Sequence, residues 1–386
     1  MNPLSSKERV SMALRHEEPD RVPIDFGARH SIHIAAHRAL KRHLGLDGGP
    51  DTIRSYLNNS AEPDPRLLAR FATDVIAFQV GSGATYAFRL DPESNSYTDE
   101  WGITMRMPSG GYYYDPVGYP LAAAETVAEI ERFPFPDPAD PHRLAGILKS
   151  VRDAGAAREK AILLNAPTVG IWWLAFYLRG LEQAMVDLGL QPELIEALAE
   201  RITEWYVAMW DIVLAQVGDA IDVVQMEGDL GDQRGPLFSP AMFRRLFKPR
   251  LRRIVDAIRR RTGARILLHA CGSVAWAIPD LIDVGVEVLN PVQVNAAGMD
   301  TALLKREFGR HMSFWGGGCD TGVLQYGSPA DVRAEVRRRV ADLAPGGGFV
   351  FGSIHNIQIN VPPANIVAMF DTARDEGRYG GGRSVA

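Results

Sequence analysis

His269 and Cys271 stand two residues apart at the end of the apolar run Arg265-Ile-Leu-Leu-His-Ala-Cys-Gly272. On an extended backbone, residues i and i+2 point to the same face. An imidazole and a thiolate therefore converge on one point, and this is a ligand pair that zinc prefers. A catalytic zinc site needs at least one more donor and keeps one position open. The chain holds two cysteines and nine histidines. The second cysteine, Cys319, ends the run Phe314-Trp-Gly-Gly-Gly-Cys319, and His355 lies in Ser353-Ile-His-Asn356. Either supplies the missing donor. Two thiolates with a neutral imidazole make a formally neutral zinc site, suited to a soft atom or to an ether oxygen that zinc polarises. Glu227 and Asp229, in Met226-Glu-Gly-Asp229, fit three roles: an acid/base pair, a further ligand, or partners of the metal-bound imidazole.

These residues must be carried by something, and the chain's rhythm says what. From Val22 onward, eight short apolar runs alternate with helical segments. They are read at 21–26, 73–78 (preceded by Leu67–Phe71), 161–166, 221–226, 266–270, 286–290, 311–315 and 348–352. Strands that are apolar throughout are buried on both faces, as in parallel sheets. Eight such units predict a distorted (β/α)8 barrel, whose chemistry sits where the strands end. The polar residues gather there: Asp25 and Arg29 after the first strand, Glu227 and Asp229 after the fourth, His269 and Cys271 after the fifth. Asn290 and Gln293 follow the sixth, Cys319 the seventh, and His355 and Asn356 the eighth. An open doubly wound sheet is the rival fold, but no Gly-x-Gly-x-x-Gly follows the first strand.

Residues 80–120 interrupt the rhythm. Trp101–Met107 facing Tyr112–Tyr114 across Pro-Ser-Gly-Gly predicts a β-hairpin, hence an inserted flap that closes over the site or meets a partner. Trp172, Trp173, Phe176 and Tyr177 are candidates for an aromatic pocket wall, although aromatics at helical spacing more often form core. One barrel domain is expected over 1–386, with a loose tail from about residue 378.

The formal charge of −5 gives no reason to invoke nucleic acid or an anionic membrane surface. Arginine-rich stretches at 244–261 and 333–339 alternate with Ile, Val and Leu, as solvated helix faces do. No apolar run approaches a membrane span and no signal-peptide pattern opens the chain. Two cysteines cannot build a disulfide framework, which fits a reducing cytoplasm. A homodimer is left open.

The motifs together resemble the uroporphyrinogen decarboxylase-like superfamily over nearly the full length. The stretches that carry the resemblance include Glu18-Pro-Asp-Arg-Val-Pro-Ile-Asp-Phe-Gly27, Gly228-Asp-Leu-Gly-Asp-Gln233, Leu268-His-Ala-Cys-Gly272, Asn290-Pro-Val-Gln293, Trp315-Gly-Gly-Gly-Cys-Asp-Thr321 and Gly347-Gly-Phe-Val-Phe-Gly-Ser-Ile-His-Asn-Ile-Gln358. The superfamily's fold is a distorted (β/α)8 barrel. One branch decarboxylates a tetrapyrrole without metal. The other comprises zinc methyltransferases that exchange methyl groups with corrinoid proteins, and the His-x-Cys at 269 and 271 looks like that branch's zinc motif. The decarboxylases carry an Arg-Gln-Ala-Gly-Arg segment that binds substrate carboxylates, where this chain has Gly27-Ala-Arg29-His30-Ser31. In the coenzyme M methyltransferases the distal zinc cysteine lies in the last-strand motif, where this chain has His355.

The resemblance implies a zinc-dependent, corrinoid-linked methyltransferase. It would move a methyl group from a small methylated substrate, such as an aryl methyl ether, to a corrinoid-binding partner protein. Asp25, Glu227, Asp229 and Asn356 would orient or protonate the substrate, with Arg29, Trp172, Tyr177, Asn290 and Gln293 around it. The alternatives are a metal-free decarboxylase of a polycarboxylate and a barrel that binds ligand or corrinoid without catalysis. Fold alone does not choose among them.

Overall fold

Seven parallel strands form one curled sheet in the computed structural model, which describes residues 4–28, 31–49 and 51–380. In sheet order they are Val75–Gln79, Ala161–Asn165, Val223–Glu227, Arg265–His269, Val288–Asn290, Ser313–Trp315 and Phe349–Val350. Each neighbour in the sheet is the next barrel strand in the chain, as crossover helices require. The expected first strand closes the ring, but as a twisted segment with isolated pairings. Asp25 donates its amide to the Phe351 carbonyl, Phe351 donates to Pro23, and Asp74 donates to Ile24. Pro23 has no amide hydrogen, so this segment cannot make a full ladder. The result is the distorted (β/α)8 barrel anticipated above.

The two faces of each strand have separate fates. Ile162, Leu164, Val224, Met226, Ile266, Leu268 and Leu289 pack outward into the main core beneath the helices. Val75, Leu163, Val223, Leu267, Val288 and Trp315 point inward and form a small cluster closed off by Val10 and Leu14 of the first helix. The same inward face turns polar towards the strand ends. Leu163 gives way to Asn165, Val223 to Gln225 and Glu227, Leu267 to His269, and Val288 to Asn290. An apolar floor thus lies under a polar rim.

Several elements depart from the sequence reading. Leu67 to Phe71 belongs to the helix Pro65–Arg70 and its cap, started by Asp64 and Pro65, instead of leading into a strand. Gly180, whose φ of +87° no side-chain-bearing residue adopts readily, divides the helical stretch that carries Trp172 and Tyr177 from the next one, giving Ile171–Arg179 and Leu181–Leu190. The helix through 243–261 contains a π-turn at Phe243–Phe247 before Lys248–Arg259. Pro249 explains it: the ring has no amide to give and crowds the carbonyl one turn back.

The flap is a three-stranded antiparallel sheet, Ser96–Thr98, Thr104–Arg106 and Asp115–Gly118. The expected pairing of 101–107 with 112–114 is displaced: Arg106 pairs with Asp115 and Met105 with Pro116. The tight turn is at 99–103, where Asp99 accepts the amides of Trp101 and Ile103 at 2.9 Å each. Trp101, Ile103, Met105 and Tyr114 are buried against the barrel. Glu100 anchors the flap through Arg143, whose two terminal nitrogens meet it at 3.2 and 3.0 Å in a site where both side chains are at least 90 % buried. Removing one member leaves the other charge buried and unpaired, so Glu100→Ala should lower unfolding free energy by about 3–5 kcal/mol, read from the urea midpoint. A loss under about 1 kcal/mol would mean the flap is held by its apolar contacts alone. No helix among the described residues is long and apolar enough to cross a membrane.

Candidate metal centre and its cleft

The polar rim brings three potential ligands together. One ligand atom each from Asp229, His269 and Cys271 lies within 4.8 Å of the others. Cys271 Sγ is 3.3 Å from His269 Nε2, and Asp229 Oδ1 is 3.7 Å from the same nitrogen. Donors around a tetrahedral zinc, with bonds of about 2.3 Å to sulfur and 2.0–2.1 Å to nitrogen or oxygen, sit roughly 3.3–3.6 Å apart. The spacings of 3.3 and 3.7 Å lie within a few tenths of an ångström of that polyhedron, and the donor chemistry fits zinc. A thiolate with a carboxylate neutralises a divalent ion as fully as two thiolates do.

The supports are local and explicable. Glu227, His269 and Asn290 are register neighbours on three adjacent strands. Asn290 is fully buried and makes two bonds that fix its amide: Nδ2 donates to the Trp315 carbonyl at 3.0 Å and Oδ1 faces His269 Nδ1 at 2.7 Å. The amide nitrogen must be the group donating to a carbonyl, so the oxygen is left for the histidine. His269 Nδ1 is therefore the protonated nitrogen, and Nε2 turns its lone pair towards Cys271 and Asp229. Asp229 is held by its own carbonyl, which accepts Trp172 Nε1 at 2.6 Å, and its Oδ1 accepts the Cys271 amide at 2.7 Å. Gln293 Oε1 accepts the Gly272 amide at 2.6 Å. Gly272 has φ +90°, and a Cβ there would sit 2.3 Å from the Gly231 backbone, so the turn after Cys271 admits only glycine. Asn290→Leu should leave the fold but weaken zinc about 10- to 100-fold in competition with a chromophoric chelator. Unchanged affinity would show that His269 needs no partner to hold its tautomer.

The structure does not bring Cys319 to this point. Trp315 faces the barrel interior, and extended alternation would send residues 317 and 319 the same way. Gly316 and Gly317 have φ of +87° and +81°, which breaks the alternation. Cys319 is 1 % exposed in the outer core, facing the helix Pro329–Leu343, and burial pushes its thiol far up. His355 is exposed on the cleft wall and is not part of the three-ligand cluster.

The other candidates divide between cleft and scaffold. Glu227, Asp229, Tyr177 and Asn356 line the cleft. Asn356 Oδ1 accepts Ser31 Oγ at 2.5 Å. Trp172 does not wall the cleft: it is 1 % exposed and packs among Phe238, Phe243 and Phe247. Phe176 is core as well, and the neighbour that reaches the cleft is Trp173. Asn290 and Gln293 brace His269 and the turn after Cys271 instead of lining the cleft. Asp25 is 1 % exposed and braces the strand ends, accepting Trp315 Nε1 at 2.8 Å and the Ala28 amide at 2.9 Å. Arg29 lies outside the described residues.

The cleft comprises two adjoining hollows of about 400 and 420 Å³ that share Ser31, Leu57, Asn58, Val169, Tyr177 and Glu227. The first holds Asp229, His269 and His355, under Tyr113 and Tyr114 of the flap. The second reaches under Tyr97 and Asp99 to Gln79 and Asn165. Gln79 and Asn165 close the second and third barrel strands, the two strand ends absent from the series of candidates drawn from the sequence. Burial pushes Asp99 up to about 6 against its two backbone donors. With the folded value above the unfolded one, the stability tied to this proton is present below about pH 4 and lost as pH rises through about 6. Asp99→Asn should flatten stability over that window and raise it at pH 7 by up to about 2 kcal/mol in thermal melts.

Comparison with known proteins now places the chain. The family described as uroporphyrinogen decarboxylase (URO-D) matches residues 99–376. The chain belongs to this family. The uroporphyrinogen decarboxylase of Alkalilimnicola ehrlichii is 25 % identical over 387 residues, covering 94 % of this chain and 92 % of that one. That of Xanthomonas euvesicatoria pv. vesicatoria is also 25 % identical, covering 95 % and 98 %. Among solved structures, a methyltransferase from Methanosarcina mazei superposes with a TM-score of 0.62 at 18 % identity, covering 96 % of this chain and 99 % of that one. At that identity the match shows a shared fold. The family is one of enzymes, and its barrel is the one described above.

Proposed function

We propose that this chain is a zinc-dependent methyltransferase that passes a methyl group from a small methylated substrate to a corrinoid protein. The observation that carries the reading is the Asp229–His269–Cys271 cluster, spaced as a zinc polyhedron and opening on the cleft. His269 Nε2, Cys271 Sγ and an Asp229 oxygen would hold the metal, with Asn290 fixing the histidine. Bound there, zinc would supply a Lewis acid for the oxygen or other atom that the methyl group leaves. Glu227 reaches both hollows, which places it to hand a proton to that leaving atom, and Gln225 Nε2, donating to its Oε1 at 2.6 Å, fixes the side chain. Asn356 and Tyr177 orient the substrate, and the flap tyrosines keep water from the cleft.

The second reading is metal-free decarboxylation of a polycarboxylate, favoured by what the relatives at 25 % identity are named. The charge of the cleft weighs against it. Asp99, Asp115, Glu227 and Asp229 line it, and the single arginine among its described lining residues, Arg54, is already paired with Glu62 at 2.9 Å. A polyanion would meet carboxylates.

Protein purified without chelator should contain about one equivalent of zinc and methylate cob(I)alamin or its carrier protein, with loss of turnover on chelation. Zinc below about half an equivalent, together with chelator-insensitive carbon dioxide release from a tetrapyrrole polycarboxylate, would establish the second reading.

A further inference from the structure

Asp99 stands on the wall of the second hollow with no counter-charge among the described residues. Its Oδ1 accepts both turn amides, those of Trp101 and Ile103, at 2.9 Å. Oδ2 is left without a hydrogen-bond partner among the described residues, and it is not sealed into the core, because Asp99 lines the cavity. The charge it feels, that of Glu100, is of its own sign. Arg54, on the same wall, is already engaged: Nε and Nη2 meet Glu62 at 2.9 and 3.4 Å, and Nη1 donates to the Gly27 carbonyl. Charges held away from bulk water are ordinarily paired, so a lone carboxylate on a cavity wall marks where a ligand's positive charge belongs.

From this we infer that the substrate carries an ammonium group at the end remote from its methylated atom. The inference rests on the methyl-transfer reading and names its substrate class. The methylated oxygen or sulfur belongs in the first hollow, beside Asp229 and His269, and the ammonium in the second, on Asp99 Oδ2. The hollows adjoin through Tyr177 and Glu227, so one elongated small molecule spans both. The ammonium is a handle and not the methyl source, because a nitrogen without a lone pair has nothing to give the metal. Tyr97 and Tyr177 line the second hollow, and phenol rings attract an organic cation. A hard metal ion is the poorer occupant, since it takes about six or more oxygen ligands and Asp99 Oδ2 offers one. A carboxylate at that end would face Asp99 and Glu227, and a neutral group would leave the Asp99 charge uncompensated.

Asp99 is a specificity-determining residue in this arrangement, remote from the atom that loses the methyl group. The flap turn holds it in place, beside the buried Glu100–Arg143 pair. Asparagine at this position keeps an oxygen for the Trp101 and Ile103 amides, so Asp99→Asn removes the charge and preserves the turn.

Calorimetric titration of the zinc-loaded protein with meta-methoxyphenethylamine, meta-methoxyphenethyl alcohol and meta-methoxyphenylacetate tests this. The three share a ring and an ether and differ in charge. The amine should bind about tenfold or more tighter than the alcohol, and the acid should bind weakest. Asp99→Asn should bring the amine down to the alcohol's affinity and leave the alcohol's own affinity unchanged. Failure of the amine to bind, equal binding of amine and alcohol, or tighter binding of the acid would overturn the inference. So would an amine affinity untouched by Asp99→Asn, or an equal weakening of both ligands. The same amine preference in protein that takes up no zinc would overturn the metal reading and leave the cation subsite standing. Zinc uptake without that preference would do the reverse.

Discussion

Cys271→Ser is expected to lower bound zinc from near one equivalent to below about a tenth, and to take methyl transfer to background. A serine hydroxyl stays protonated where a thiol ionises on the metal, so the site loses both a ligand and a charge. The loss should not be a folding defect. Cys271 sits at a strand end, its amide bonded to Asp229, and serine keeps that bond. Cys319→Ala is the informative partner. It removes a buried thiol from the outer core, so it should cost stability and leave zinc content and turnover unchanged. Equal zinc loss in both variants would mean that the glycine turn at 316–317 rearranges to bring the second sulfur in.

Glu227→Gln should reduce kcat by about 10²- to 10⁴-fold while zinc content stays near one equivalent. Glutamine keeps the shape and the hydrogen bond to Gln225 but cannot deliver a proton. The two readouts separate proton transfer from ligation. A parallel loss of zinc would make Glu227 a ligand, and an unchanged kcat would give the proton to another group. Substrates whose leaving oxygen is more acidic should suffer less from the substitution, since they need the proton less.

The barrel and half of the centre were legible because both follow period-2 patterning. Strands buried on both faces read as apolar runs, and His269 and Cys271 read as neighbours because they are two apart on one of them. Asp229 is legible as a candidate, but only the turn from Glu227 to Asp229 decides that its carboxylate lands beside His269 and Cys271. Cys319 illustrates the limit. Its distance from Trp315 suggests the same inward face, yet two consecutive left-handed glycines turn the side chain outward. Trp172 and Trp173 are adjacent on one helix, and helical spacing alone does not say which one faces the core. The flap's register shifted because the Asp99 side chain builds the tight turn, a signal weaker in sequence than Pro-Ser-Gly-Gly. The role of Asn290 was also hidden: its position at a strand end looked like a substrate contact, whereas its two bonds to Trp315 and His269 depend on strands that only the closed barrel brings together.

In the proposed enzyme one sulfur, one imidazole and one carboxylate would hold the metal. X-ray absorption at the zinc edge counts those donors directly. A single sulfur at about 2.3 Å is expected, with the remaining scatterers at about 2.0–2.1 Å and an imidazole signature that Cys319→Ala leaves intact. Two sulfurs, or no zinc in the as-purified protein, would contradict it.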